Sequence, residues 1–232
     1  RTRYDCNIYP KFERRGNERI SPHQRMRITL NNLSKRFNYE WIFRDINYTF
    51  ESGNAYALIG PNGSGKSTLL KILSGQLSPS LGTITFANPN TIAIENVYRD
   101  VVFTAPYIDL IDDFTLLELL EFHFSFKKIA LNYSIHDLIV LSDLEKHQHK
   151  AIKSFSSGMK QRVKLITTLM SDCEIIILDE PTTNLDIKGV DWYLSLVEKV
   201  RNNKLIITGS NLEREYSFCN HVMNIADYKI GL

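Results

Sequence analysis

Apolar and polar residues alternate first along Arg27-Ile28-Thr29-Leu30-Asn31-Asn32-Leu33 and again along Ile46-Asn47-Tyr48-Thr49-Phe50. That period of two predicts strands with one face buried. Glu51-Ser52-Gly53-Asn54 has turn chemistry. Ala55-Tyr56-Ala57-Leu58-Ile59 is almost wholly apolar, as a central strand covered on both faces must be. A glycine-rich loop follows at once, and then a helical pattern over 67–77 that stops before Ser78-Pro79-Ser80-Leu81-Gly82. Further along, the periodicity predicts a strand over 83–86 and helices over 116–126, 135–144, 158–170 and 190–200. Buried strands are predicted over 174–178 and 204–208. Strands that alternate with helices make a largely parallel α/β sheet.

Residues 1–25 do not share this patterning. Arg1, Arg3, Lys11, Arg14, Arg15, Arg19 and Arg25 outnumber the acids Asp5, Glu13 and Glu18, and no apolar period is visible. This stretch reads as a basic, poorly ordered arm. The composition of the 232-residue chain, 43% hydrophobic and 23% charged, is that of a globular protein with room for a sizeable core. A net charge of +2 gives no global electrostatic case for nucleic acid, and none is expected as a partner. Cys6, Cys173 and Cys219 are odd in number and far apart, which argues for a reducing compartment rather than a disulfide framework; Cys173 and Cys219 read as buried small hydrophobes. No stretch reaches the roughly 18 apolar residues of a spanning helix, and no apolar signal segment follows the basic start. The expectation is a cytoplasmic chain that meets a membrane only through a partner.

Candidate chemistry begins at Gly60-Pro61-Asn62-Gly63-Ser64-Gly65-Lys66-Ser67, which fits G-x-x-x-x-G-K-[ST] at every fixed position and continues into Thr68. Glycines let the backbone wrap a phosphate chain with several N–H groups pointing inward, and the helix that starts there aims its positive end at the same charge. Lys66 is expected on the β- and γ-phosphates and the Ser67 hydroxyl on Mg²⁺. The context, between an apolar strand and a helix, is the one the mechanism needs. A second signal closes the strand Ile175-Ile176-Ile177-Leu178 with Asp179 and Glu180. Two acids at the carboxyl edge of a parallel sheet lie where ligands bind. Asp179 suits the metal-side carboxylate opposite the loop serine, and Glu180 the general base that polarises water. Together the two motifs point to Mg-ATP or a similar triphosphate and its hydrolysis.

Phe155-Ser156-Ser157-Gly158-Met159-Lys160-Gln161-Arg162 resembles the signature loop of the ABC ATPases, with Ser156 and Gly158 kept and Ser157 and Met159 as departures. Pro181-Thr182-Thr183-Asn184-Leu185-Asp186 is similar to that family's D-loop. The resemblance runs from Met26 onward. It implies an ABC-type α/β fold: a P-loop core, a small antiparallel β portion near the N-terminus and a helical insert over about 114–154. It also implies that Ser156 and Gly158 meet ATP held by a second copy or a related ATPase subunit, and that an integral membrane subunit docks on the insert. The adenine-stacking aromatic would be Phe37, with Tyr39 and Trp41 as competitors and a core role as the alternative. Two departures bear on rate. Where the family has a glutamine before the insert, Val101-Val102-Phe103-Thr104-Ala105-Pro106-Tyr107 offers no metal ligand at Ala105 or Pro106. Where it has a γ-phosphate histidine, Ile206-Ile207-Thr208-Gly209-Ser210-Asn211 offers only Ser210 or Asn211, of which Asn211 is taken as the phosphate contact. His23, His123, His136, His147, His149 and His221 read as surface or helix residues. The implied function is the ATP-hydrolysing subunit of a transporter; the alternatives are an ATP-binding regulator with little hydrolysis and an ABC ATPase that moves no solute.

Overall fold

The computed structural model describes residues 26–202 and 204–229, so the reading of residues 1–25 and the positions of Cys6 and His23 lie outside the described residues. Among the described residues, nine strands form two sheets. The antiparallel one has the order β2-β1-β4-β5, from β1 (Arg27–Phe37), β2 (Glu40–Glu51), β4 (Leu81–Asn88) and β5 (Asn90–Ile92). The second has the order β6-β7-β8-β3-β9, from β3 (Ala55–Ile59), β6 (Val101–Thr104), β7 (Ile175–Asp179), β8 (Leu205–Gly209) and β9 (His221–Asn224). All its pairings are parallel.

Alternation along the parallel strands divides the interior in two. Ile175 and Ile177 of β7, with Leu205 and Ile207 of β8, face a core shared with α1 (Lys66–Leu73) and with Ile28, Leu30, Phe43, Phe50 and Phe86 of the antiparallel sheet. Ile176, Leu178 and Ile206 face the opposite core, built from α2 (Leu116–Phe126), α3 (Ile135–Ser142), α4 (Ser157–Leu169) and α5 (Ile187–Val200). A strand buried on both faces therefore reads as an unbroken apolar run, which is what β7 is.

Helix α2 follows its predicted bounds, and its start is fixed by a capping box between Thr115 and Glu118. Helix α1 ends at Leu73, four residues short of the predicted 77, because Gly75 takes a left-handed φ of 79° and its N–H returns to the Ile72 carbonyl. Helix α3 likewise stops at Ser142 rather than 144, since Asp143 is left-handed (φ 61°). Helix α5 begins at Ile187, earlier than the predicted 190, because the Asp186 carboxylate caps Gly189 N–H at 2.8 Å. Strands β5 and β9 are too short to show a period and had no reading in the sequence. The segment that carries α2 and α3 closes at its base: Ile152 N–H donates to the Phe114 carbonyl and Lys153 N–H to that of Asp112. Cys173 is buried, Cys219 is half-buried, and both are free thiols. His123 lies in α2, and His221 is exposed on β9 with its ring stacked 4.9 Å from Tyr56.

Candidate functional site

The carboxyl ends of β3, β7 and β8 lie side by side, and each runs into a loop with one of the predicted groups. After β3 the chain turns through Gly60 to Gly65 and enters α1, whose first N–H groups have no side-chain cap. Helix dipole and open N–H groups thus point at the space over the loop. Gly65 sits at φ 106°. A Cβ there would lie 2.5 Å from Ile42 Cγ2 and 3.1 Å from Phe43 Cδ1, so β2 presses directly on the loop. Lys66 Nζ folds back to donate to the Gly60 carbonyl (2.6 Å) and to that of Pro61 (3.4 Å). Burial lowers the pKa of this lysine, while Glu180 and Asp179 nearby pull it back up. Asn62 and Gly63 are exposed at the tip, and Ser67 and Thr68 are half-buried in the first turn of α1. The Ser64 hydroxyl is buried without a hydrogen-bond partner among the described residues.

Asp179 ends β7 with 1% of its surface exposed. Burial raises its pKa; the adjoining Ser67 hydroxyl, then the Tyr107 hydroxyl and Lys66, pull it down, and Glu180 adds to the rise. One carboxylate oxygen, Oδ2, accepts from Tyr107 Oη at 3.4 Å. The other, Oδ1, has no hydrogen-bond partner among the described residues. A buried carboxylate oxygen without a donor, beside a hydroxyl and near a phosphate-binding loop, is a donor set that fits a hard divalent cation. Glu180 follows in the open. Its φ of 44° is left-handed, and its N–H is held by the Gly209 carbonyl at 2.8 Å. Left-handed geometry costs a side-chain-bearing residue roughly 1–2 kcal/mol, and such strain gathers at functional sites.

The structure separates the two candidates after β8. Ser210 is buried and its Oγ accepts from Leu212 N–H at 2.9 Å, which turns it away from the loop. Asn211 is exposed, and its Nδ2 donates to Asn62 Oδ1 of the P-loop at 3.3 Å. Phe37 stands at the turn end of the β1–β2 hairpin opposite Glu40, 48% exposed, with Lys35 Nζ 5.1 Å from its ring centroid. It is not a core residue, which rules out the alternative reading of a buried strand aromatic. Tyr39 is 95% exposed at the turn, and Trp41 is sandwiched against Arg36 and Arg44.

Ser156 caps α4, accepting from Met159 N–H at 3.3 Å, and remains exposed. Gly158, the second residue of α4, backs onto the Asn184 carbonyl so closely that a Cβ would lie 3.0 Å from it. The signature start and the D-loop thus touch each other, and the D-loop continues directly from Asp179 and Glu180. Other residues important to the site escaped the sequence reading. Tyr107, next to Ala105 and Pro106, donates to Asp179 Oδ2. Lys164 of α4 donates to the Pro106 carbonyl at 2.9 Å, and Gln161 of α4 to the Pro181 carbonyl at 2.6 Å. Glu215, 3% exposed, accepts from the Thr182 hydroxyl and, at 3.2 Å, from Thr182 N–H. None of these carries a sequence signal, because each meets a partner at least 20 residues away that only the fold brings near.

A phosphate loop after β3, with a strand-end aspartate and an exposed glutamate after β7 on the far side of β8 in the same parallel sheet, defines a P-loop nucleoside triphosphatase. Residues 43–183 match the model of the ABC transporter family. The chain is 35% identical over 199 residues to the uncharacterized ABC transporter ATP-binding protein YybJ of Bacillus subtilis, covering 81% of this chain and 87% of that one. Its fold matches a putative ABC transporter ATP-binding protein of Pyrococcus furiosus with a TM-score of 0.74 and 25% identity, over 88% of this chain and all of that one. A dimeric ATP-binding cassette, MJ0796, solved with ADP and Pi, matches with a TM-score of 0.75 and 23% identity over 88% and 97% of the two chains. The chain belongs to the ABC transporter family: it is an ATP-binding subunit that hydrolyses ATP to power transport.

Proposed function

We propose that this chain binds ATP with Mg²⁺ in the cleft between the P-loop and Asp179, pairs with a second copy or a related ATPase subunit, and drives an integral membrane subunit at the cytoplasmic face of a membrane. The observation that carries the reading is the buried Asp179 carboxylate with its unpartnered Oδ1 beside Ser67 and Lys66. Ser67 and Asp179 would hold the cation, which when bound offsets the negative charge of the phosphates.

In this reading the N–H groups from Asn62 through Thr68 cradle the phosphates, and Lys66 leaves the Gly60 carbonyl for the β- and γ-oxygens. Phe37 offers its exposed ring to the adenine. Glu180, held outward by its left-handed backbone, takes the proton of the attacking water. Asn211 donates to the γ-phosphate from its place against Asn62. Ser156 and Gly158 face outward at the positive end of α4, so the phosphate they suit belongs to the partner's ATP. The dimeric state of the MJ0796 cassette supports that pairing. Among the described residues no helix is long and apolar enough to cross a membrane, so this assignment gives the membrane step to another subunit.

Thermal melts test the core of the proposal. Ligand at about a hundred times its dissociation constant stabilises a fold by roughly 2.7 kcal/mol. Mg-ATP should raise the melting temperature of the native chain and leave that of Lys66→Ala unmoved. Equal shifts in both, or none in either, would overturn the assignment of the cleft. Phosphate release, measured with and without membranes that hold the transporter, then tests the coupling.

A further inference from the structure

The turn at residues 105–108 reaches the proposed metal site with a side chain that has no role so far. Its backbone is pinned from one side: Ile108 N–H closes on the Ala105 carbonyl at 3.2 Å, and Lys164 of α4 donates to the Pro106 carbonyl at 2.9 Å. The Tyr107 ring is pinned from another, since Lys71 Nζ of α1 lies 4.3 Å from its centroid. Its hydroxyl is left facing Asp179 Oδ2 at 3.4 Å. Ala105 is buried and Pro106 has no donor, so Tyr107 is the group of this turn that reaches the carboxylate.

We infer that Tyr107 is a positioning residue for the metal carboxylate: its hydroxyl holds Asp179 Oδ2 and so leaves Oδ1 turned to the cation. The inference rests on the proposed reading of Asp179 as a metal ligand. A carboxylate with both oxygens free can rotate about its terminal torsion, which is broad and soft. One donor fixed by two other elements removes that freedom, as outer-sphere partners of metal ligands generally do. Because the donor is a phenol on a half-exposed ring under Lys71 of α1, it also ties the position of the 105–108 turn to the site. The same turn is tied to α4, the helix that Ser156 caps.

Binding of a fluorescent, non-hydrolysable ATP analogue to the full chain, with Mg²⁺ and again with the metal chelated, separates this role from packing. In Tyr107→Phe, which keeps the ring over Lys71, affinity without metal should equal that of the parent. Affinity with Mg²⁺ should fall by about tenfold, the low end for an outer-sphere partner. Tyr107→Ala should show the same loss of metal dependence. If Tyr107→Phe binds as the parent does in both conditions, or weakens equally in both, the hydroxyl does not position Asp179. If only Tyr107→Ala weakens, the ring matters and the inference is again overturned. A parent chain whose affinity ignores Mg²⁺ sinks the metal site itself and the tyrosine's role with it. That result is distinct from a Mg²⁺-dependent parent matched by Tyr107→Phe. A melt of each variant without nucleotide confirms that the fold is intact.

Discussion

Replacing Gly65 by alanine tests the close approach of β2 to the phosphate loop. Two separate penalties are expected. The residue sits at φ 106° and ψ 8°, well beyond the left-handed basin near φ +57°, and that region costs an L-residue roughly 1–2 kcal/mol. The added Cβ would also stand 2.5 Å from Ile42 Cγ2 and 3.1 Å from Phe43 Cδ1. Phe43 is fully buried in the core and cannot yield freely. Overpacking of that kind adds about 1–3 kcal/mol. Alanine also gives back about 0.4–1 kcal/mol by restricting the unfolded chain, so the net loss is roughly 1–4.5 kcal/mol. Gly63 is the control: its φ is also positive, 77°, but a Cβ there meets nothing within 4 Å. For a chain of this size each kcal/mol moves the midpoint by about 2–4 °C. Thermal melts without nucleotide should therefore place Gly65→Ala about 2–12 °C below Gly63→Ala. Adding Ile42→Ala should reduce the gap between Gly65→Ala and its own parent. Equal melts for the two glycine variants would show that β2 does not bear on the loop.

Glu180→Gln removes the proposed base and should slow phosphate release by at least about a hundredfold. With ATP it should run as a stable dimer by size measurement, and a persistent monomer alongside its membrane partner would defeat that reading. Ser210→Ala and Asn211→Ala should behave differently. The first loses the acceptor for Leu212 N–H in a buried place and should cost about 1 kcal/mol of stability. The second should leave the melt unchanged and slow hydrolysis about tenfold, an effect of about 1.4 kcal/mol. Burial, with Lys127 adding to it, depresses the pKa of His123 below its ordinary value, against a smaller opposing pull from Thr167. Its contribution to stability is thus complete above pH 6.5 and is lost as pH falls toward the depressed value. Urea titrations from about pH 7 down should show a loss of at most 1.4 kcal/mol per pH unit from this one group. His123→Gln should remove that part, and an unchanged profile would refute it.

The sequence exposed those features whose physics is local. β7 is legible because a strand buried on both faces must be apolar throughout, and α2 because Thr115 and Glu118 close a capping box. The phosphate loop is legible because the glycines, lysine and serine all act within one turn of chain. Helix ends set by a single left-handed residue, Gly75 or Asp143, were placed too late because the apolar period continues past them. The short strands β5 and β9 draw their pairing from neighbours that the sequence does not bring near. The choice between Ser210 and Asn211 was open for the same reason. Two adjacent polar residues find different partners, Ser210 the Leu212 N–H and Asn211 the Asn62 amide, and only the position of Asn62 decides which one meets the loop.

Helix α4 carries the consequence of that arrangement furthest. Its first turn presents Ser156 and Gly158 outward, and its second grips two loops of the chain's own site by their carbonyls: Pro181 through Gln161 and Pro106 through Lys164. Both grips are buried or partly so, and both come from side chains of one rigid element. Pro181 directly follows Glu180, and Pro106 directly precedes Tyr107. On the proposed reading, a shift of α4 on engagement of Ser156 by a partner's phosphate would pull at once on the residue after the proposed base and on the turn that carries Tyr107. Thr182 adds a third tie, through the buried Glu215, to the segment that follows Asn211. The groups proposed to touch ATP are thus held on loops that share buried polar ties. Cutting one tie, as in Gln161→Ala, should disturb hydrolysis without touching any residue that meets the nucleotide.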